Sequence, residues 1–187
     1  LVATPGVRPV AQSRPQPAKQ KLDEEYTAKI KEYTQDPRIS TELVDHLPAS
    51  DTIPTPLKFF GRMPGTPGEL TYAKDIQRYY EALDKASDRI SMWTIGKTEE
   101  GRDMVLLAVG DEATIKSLDK YKADLAALTD PRKTTEAQAR QIIKTSKPIY
   151  WVTAGMHSGE TGGPEMLIEL PYRLAVEETP LMQNIRN

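Results

Sequence analysis

Apolar positions in this chain fall into a few clear periods. From Asp23 to Thr34, Tyr26, Ile30 and Tyr33 recur at i, i+4 and i+7, one face of a short helix, and Pro37 is expected to end it. Tyr72, Ile76, Tyr79, Leu83 and Ala86 repeat at helical spacing and predict a longer helix starting near Thr71. Ile90–Ile95 and Asp103–Val109 then read as two strands of a hairpin, joined by the polar turn Gly96-Lys97-Thr98-Glu99-Glu100-Gly101. Two helical stretches follow, separated by Pro131. Ile115, Leu118, Leu125 and Leu128 mark the first, and Thr135 is the expected N-cap of the second, which carries Ile142 and Ile143.

Beyond Pro148 the pattern changes. Ile149-Tyr150-Trp151-Val152-Thr153 is β-branched and aromatic without polar alternation, which predicts a central strand covered on both faces. Gly155 should break it. Pro164 suits the first turn of a further helix, expected to bury Leu167, Leu170, Leu174 and Ala175 and to kink at Pro171. Helices interleaved with strands in this order predict an α/β fold built on a mixed sheet, with a helical crossover between the hairpin and the third strand.

Proline usage divides the chain. Ten of the 15 prolines lie in residues 1–67. Residues 1–20 hold four of them with Arg8, Arg14 and Lys19 and no acidic group, and read as a flexible arm. Residues 21–69 form an N-terminal extension ending in a turn-rich connector, to which Phe59 and Phe60, the only two phenylalanines, are expected to supply anchors. The regular part runs from residue 70 to 187.

The net charge of −2 argues against a nucleic-acid partner that depends on bulk positive charge. The longest purely apolar run, Met104–Val109, is far too short to cross a bilayer. Cysteine is absent, which removes thiolate nucleophiles and Cys-based zinc sites.

The remaining chemistry concentrates in Ala154-Gly155-Met156-His157-Ser158-Gly159-Glu160-Thr161-Gly162-Gly163, between the expected central strand and the helix after it. Ligands bind at this place in open α/β sheets, because loops diverge there. His157 and Glu160 form an H-x-x-E pair, and in a tight turn this spacing brings an imidazole nitrogen and a carboxylate oxygen to one point. Zinc accepts both donors. The same residues also suit a loop histidine bonded to backbone and a glutamate placed favourably at a helix start. His46, the only other histidine, reads as a surface or packing residue.

Two segments together resemble the zinc carboxypeptidase family, most closely its bacterial secreted members. Gly96-Lys97-Thr98-Glu99-Glu100-Gly101-Arg102 before an apolar strand resembles the family's G-x-[ST]-x-E-G-R hairpin, and Pro148–Glu160 resembles the strand leading into its H-x-x-E motif. The resemblance covers about residues 70–187. It implies a zinc-carboxypeptidase-like fold, Zn2+ as cofactor, and His157 and Glu160 as the first two metal ligands. It further implies a peptide or protein substrate cut at its C-terminal bond by zinc-activated water, and a secreted or periplasmic location. Glu100 and Arg102 correspond to a hairpin motif whose role is structural, bracing the sheet beside the site.

Departures from the family pattern set further expectations. Gly159 stands where well-known members carry a substrate-contacting arginine, so substrate preference cannot be transferred. The family's third ligand, a histidine, and its general-base glutamate are expected beyond Asn187, so no catalytic residue is assigned within these 187 residues and little activity is expected of them alone. Glu165 and Glu169 read as solvated or salt-bridged. Asn184-Ile185-Arg186-Asn187 reads as the approach to another strand rather than a carboxylate clamp. A zinc amidase or deacylase on the same scaffold, and a non-catalytic binding module, are the alternative readings.

Overall fold

The computed structural model describes residues 20–187. Apart from Gln20, the arm expected over residues 1–20 lies outside the described residues.

Helix α1, Glu24–Tyr33, starts where the Asp23 carboxylate accepts from the Tyr26 amide. It buries Tyr26 and ends before Pro37, which opens a single 3₁₀ turn over Pro37–Ile39. The connector contains a short helix, α2, Pro56–Phe60, capped by Thr55 and closed by Gly61 at a φ of 72°. Phe59 and Phe60 do anchor this segment: their rings pack 5.0 and 5.3 Å from the buried ring of Tyr79. Tyr79 belongs to α3, Ala73–Ala86, which turns Tyr79 and Leu83 inward and leaves Tyr72, its N-cap, exposed.

Strands β1, Ile90–Lys97, and β2, Asp103–Val109, pair antiparallel from Ile90↔Val109 to Lys97↔Asp103, with a bulge between Thr94 and Gly96. The first of the two helical stretches divides at Ser117 into α4, Glu112–Lys116, and α5, Leu118–Thr129. The second is α6, Glu136–Thr145, and Thr135 caps it through a reciprocal pair of bonds with Gln138. Two further helices, α7, Gly162–Val176, and α8, Pro180–Arg186, complete the described chain.

The mixture of helices with a small sheet fits an α/β arrangement, yet three expectations are corrected. Residues 149–153 form no strand and pair with nothing among the described residues; the sheet has two antiparallel strands and is not mixed. Tyr150 is 92% and Trp151 63% exposed. An apolar run becomes a central strand only when strands flank it, and neither strand of the β1–β2 hairpin pairs with this one, so its residues stay open to solvent. Second, α7 is rotated from its expected face: Ala175 is buried as expected, but its buried companions are Ile168, Tyr172 and Val176, and Leu167, Leu170 and Leu174 are only half-buried. The extension covers α7 from a second side, which shifts the buried stripe. Third, Asn184–Arg186 are helical, in α8, an element not expected after α7; Thr179 caps that helix and Pro180 suits its first turn.

Helix α7 passes through Pro171 without interruption. It packs on α3, β2 and α8. Tyr26, Leu47, Ile53 and Met63 from the extension share one core with Tyr79, Leu83 and Ile90 and with Ile168, Tyr172 and Ala175 of α7. Hydrogen bonds reinforce this joint. The Tyr26 hydroxyl donates to Glu169 at 2.8 Å, Tyr172 to the Pro48 carbonyl at 2.8 Å and Tyr79 to the Pro54 carbonyl at 3.0 Å. Gln20 closes the far end, donating to the Val176 carbonyl and accepting from the Glu178 amide.

Candidate metal centre

Local backbone chemistry shapes the loop that carries His157. Gly155 sits at a φ of 77°, a region that side-chain-bearing residues rarely adopt, and reverses the chain after Ala154. At Gly163 a Cβ would lie 2.7 Å from the Ala154 Cβ, so only glycine lets the start of α7 come this close to the incoming chain. Between these two points the Glu160 amide donates to the His157 carbonyl at 3.0 Å, a single tight turn.

This turn brings the two expected ligands together. His157 Nδ1 and Glu160 Oε1 are 2.8 Å apart, and the side chains are 72% and 63% exposed. A nitrogen and a carboxylate oxygen, adjacent and open to solvent, are donors that zinc accepts. The pair fits as part of a zinc site. Among the described residues no group of three or more His, Cys, Asp or Glu gathers that could complete it.

The other residues singled out from sequence lie apart from this pair. His46 is half-buried, and its Nδ1 meets the Asp45 carboxylate at 2.5 Å. Glu100 and Arg102 form an exposed ion pair with each other in the β1–β2 turn. That turn is closed by the Thr98 amide on the Arg102 carbonyl and by Gly101 at a φ of 77°. No hydrogen bond or ion pair among the described residues connects Glu100 or Arg102 to His157 or Glu160.

Glu169 is salt-bridged as expected, with its Oε1 2.5 Å from Nε of the buried Arg173. Glu165 is not. It is 7% exposed, and its two oxygens accept from the backbone amides of Gly65 at 3.0 Å and Thr71 at 2.8 Å. A carboxylate satisfied by two amides from a distant segment needs no cation beside it. The available sequence signal was its position in an otherwise apolar run, Pro164-Glu165-Met166-Leu167-Ile168. The two amide partners, 94 and 100 positions away, could not be read from it.

A family model for zinc carboxypeptidases matches residues 76–187, which include both the hairpin and the His157–Glu160 turn. The chain belongs to the zinc carboxypeptidase family. No curated protein and no solved structure matches it. Membership makes a zinc-dependent peptidase function the family-level expectation for residues 76–187. The extension before Ile76 lies outside the match. No helix among the described residues is long and apolar enough to cross a membrane.

Proposed function

We propose that this chain contributes to a zinc-dependent carboxypeptidase that hydrolyses C-terminal bonds of peptides, with His157 and Glu160 as two of the metal's protein ligands. The observation that carries this reading is the 2.8 Å approach of His157 Nδ1 to Glu160 Oε1 in a turn inside the family match. Bound zinc would supply a Lewis acid and lower the pKa of a coordinated water to about 7.

The chain's own residues hold and orient. Gly155 and Gly163 set the turn, the His157 carbonyl fixes the Glu160 amide, and the two side chains face solvent where an ion and a peptide can reach them. With no third donor beside them among the described residues, His157 and Glu160 alone would hold the ion loosely. The proton shuttle is assigned to none of the described residues, and turnover by them alone is expected to be negligible.

Zinc titration followed by calorimetry tests the reading. Uptake should fall at least about tenfold in His157→Ala and in Glu160→Ala, and should not change in His46→Ala. Uptake that is indifferent to both ligand substitutions would overturn the assignment.

A further inference from the structure

Among the described residues, no hydrogen bond or ion pair joins residues 149–159 to anything beyond Glu160. Two steric contacts close the base of the loop instead. A Cβ on Gly163 would lie 2.7 Å from the Ala154 Cβ, and a Cβ on Gly155 would lie 3.0 Å from Pro164 Cγ. We propose that Ala154 and Gly163 form a clasp, and that both are positioning residues for the metal ligands His157 and Glu160 in the loop it closes. The inference rests on the metal reading above and adds the residues that set the spacing of its two donors.

Carbon atoms in ordinary contact sit about 3.5–4.0 Å apart, so a methyl group at position 163 requires its surroundings to part by about 1 Å. The Ala154 Cβ is fixed to the backbone and cannot rotate aside, so one of the two chain segments has to move. Helix α7 is the anchored one: Ile168 and Tyr172 are buried, and Glu165 accepts from the Gly65 and Thr71 amides. The loop therefore gives way. Inside it one backbone bond, from the Glu160 amide to the His157 carbonyl at 3.0 Å, folds the turn that sets Nδ1 against Oε1. A wider base pulls on that bond, and the two donors separate.

Two adjacent glycines isolate the effect. Gly162 and Gly163 open α7, and neither has a positive φ, so the backbone permits alanine at both. They differ only in their surroundings: a Cβ on Gly162 would meet nothing within 4 Å. Helix propensity favours alanine over glycine at either position. A loss of zinc uptake caused by a methyl group at 163 and not at 162 therefore comes from the contact with Ala154.

Calorimetric zinc titration of the full chain, paired with melting temperatures of the metal-free variants, tests this. Gly163→Ala should weaken zinc uptake about tenfold, and Gly162→Ala should leave it within about twofold. Removing the opposing methyl group should restore the space. When Ala154→Gly is combined with Gly163→Ala, uptake should return to within about threefold of wild type. The metal-free melting temperature separates positioning from folding, and should stay within about 3 °C of wild type in every variant. Unchanged uptake in Gly163→Ala would overturn the proposal, as would a combined variant that binds no better than Gly163→Ala. A loss of uptake that tracks a loss of folded chain would overturn the positioning role. Uptake indifferent to His157→Ala instead overturns the metal assignment, whereas uptake that needs His157 and ignores Gly163→Ala overturns the clasp alone.

Discussion

The Tyr80 hydroxyl donates to the Leu167 carbonyl at 2.9 Å, the carbonyl that Pro171 leaves without its helical partner. Burial pushes the phenol up to about 12, so it remains a donor at neutral pH. This bond explains how α7 runs through a proline and still carries the His157–Glu160 turn at its start. Tyr80→Phe should cost about 1–2 kcal/mol, because it strands a partly buried carbonyl. In a Pro171→Ala background the restored amide can pair with Leu167, and the cost of Tyr80→Phe should fall toward zero. Urea unfolding of the four variants measures this coupling; equal costs in both backgrounds would rule out the carbonyl as the cause.

Arg186 is buried, and its guanidinium closes the end of α7. One nitrogen donates to the carbonyls of Leu174 and Glu177 at 2.7 and 2.6 Å, and another meets Glu178 at 2.9 Å. Arg186→Met should destabilise by about 3 kcal/mol, since the carbonyls and Glu178 lose their partner. Arg186→Lys should not restore the loss, because an ammonium cannot reproduce the planar fork. Thermal melts of the two variants decide the matter.

The His157–Glu160 pair should contribute little to stability. Both side chains are mostly exposed, and an exposed ion pair is worth about 0–1 kcal/mol. His157→Ala is expected to leave the melting temperature of the metal-free chain nearly unchanged while zinc uptake falls. A large drop in melting temperature without zinc would assign the pair a structural role.

Acid should loosen the α7–α8 corner. Burial alone would raise the Glu178 carboxyl, but hydrogen bonds from Arg89 and Gln183 and the charges of Arg186 and Arg89 outweigh it and hold it below the usual 4.5. A folded-state value below the unfolded one gives stability that is present above the unfolded value and is lost as pH falls through the depressed one. The melting temperature should therefore decline below about pH 4, and more shallowly in Glu178→Gln. An identical decline in that variant would exclude Glu178 as a contributor.

Trp151 provides an optical test of the exposed run. At 63% exposure its fluorescence should be quenched efficiently by iodide, whereas Trp93, half-buried in β1, should be quenched less. Trp151→Ser should change stability by less than about 0.5 kcal/mol. A large loss, or a Trp151 shielded from iodide, would indicate that residues 149–153 are covered in solution.

Features governed by near neighbours were legible in the sequence. The β1–β2 hairpin, the Thr135 cap, the ring anchors at Phe59 and Phe60 and the meeting of His157 with Glu160 all depend on residues close in sequence or on a strong apolar signal. The family could also be read there, because its two motifs keep their order and spacing. Tertiary structure decided whatever depended on distant partners. Residues 149–153 have the composition of a buried strand and stay unpaired, since strand formation needs a neighbouring edge that composition does not supply. Glu165 looks like a surface carboxylate and is buried, because two amides from the connector replace its water. The buried face of α7 followed from the extension packing across it, a contact between residues more than 100 positions apart that no local period encodes.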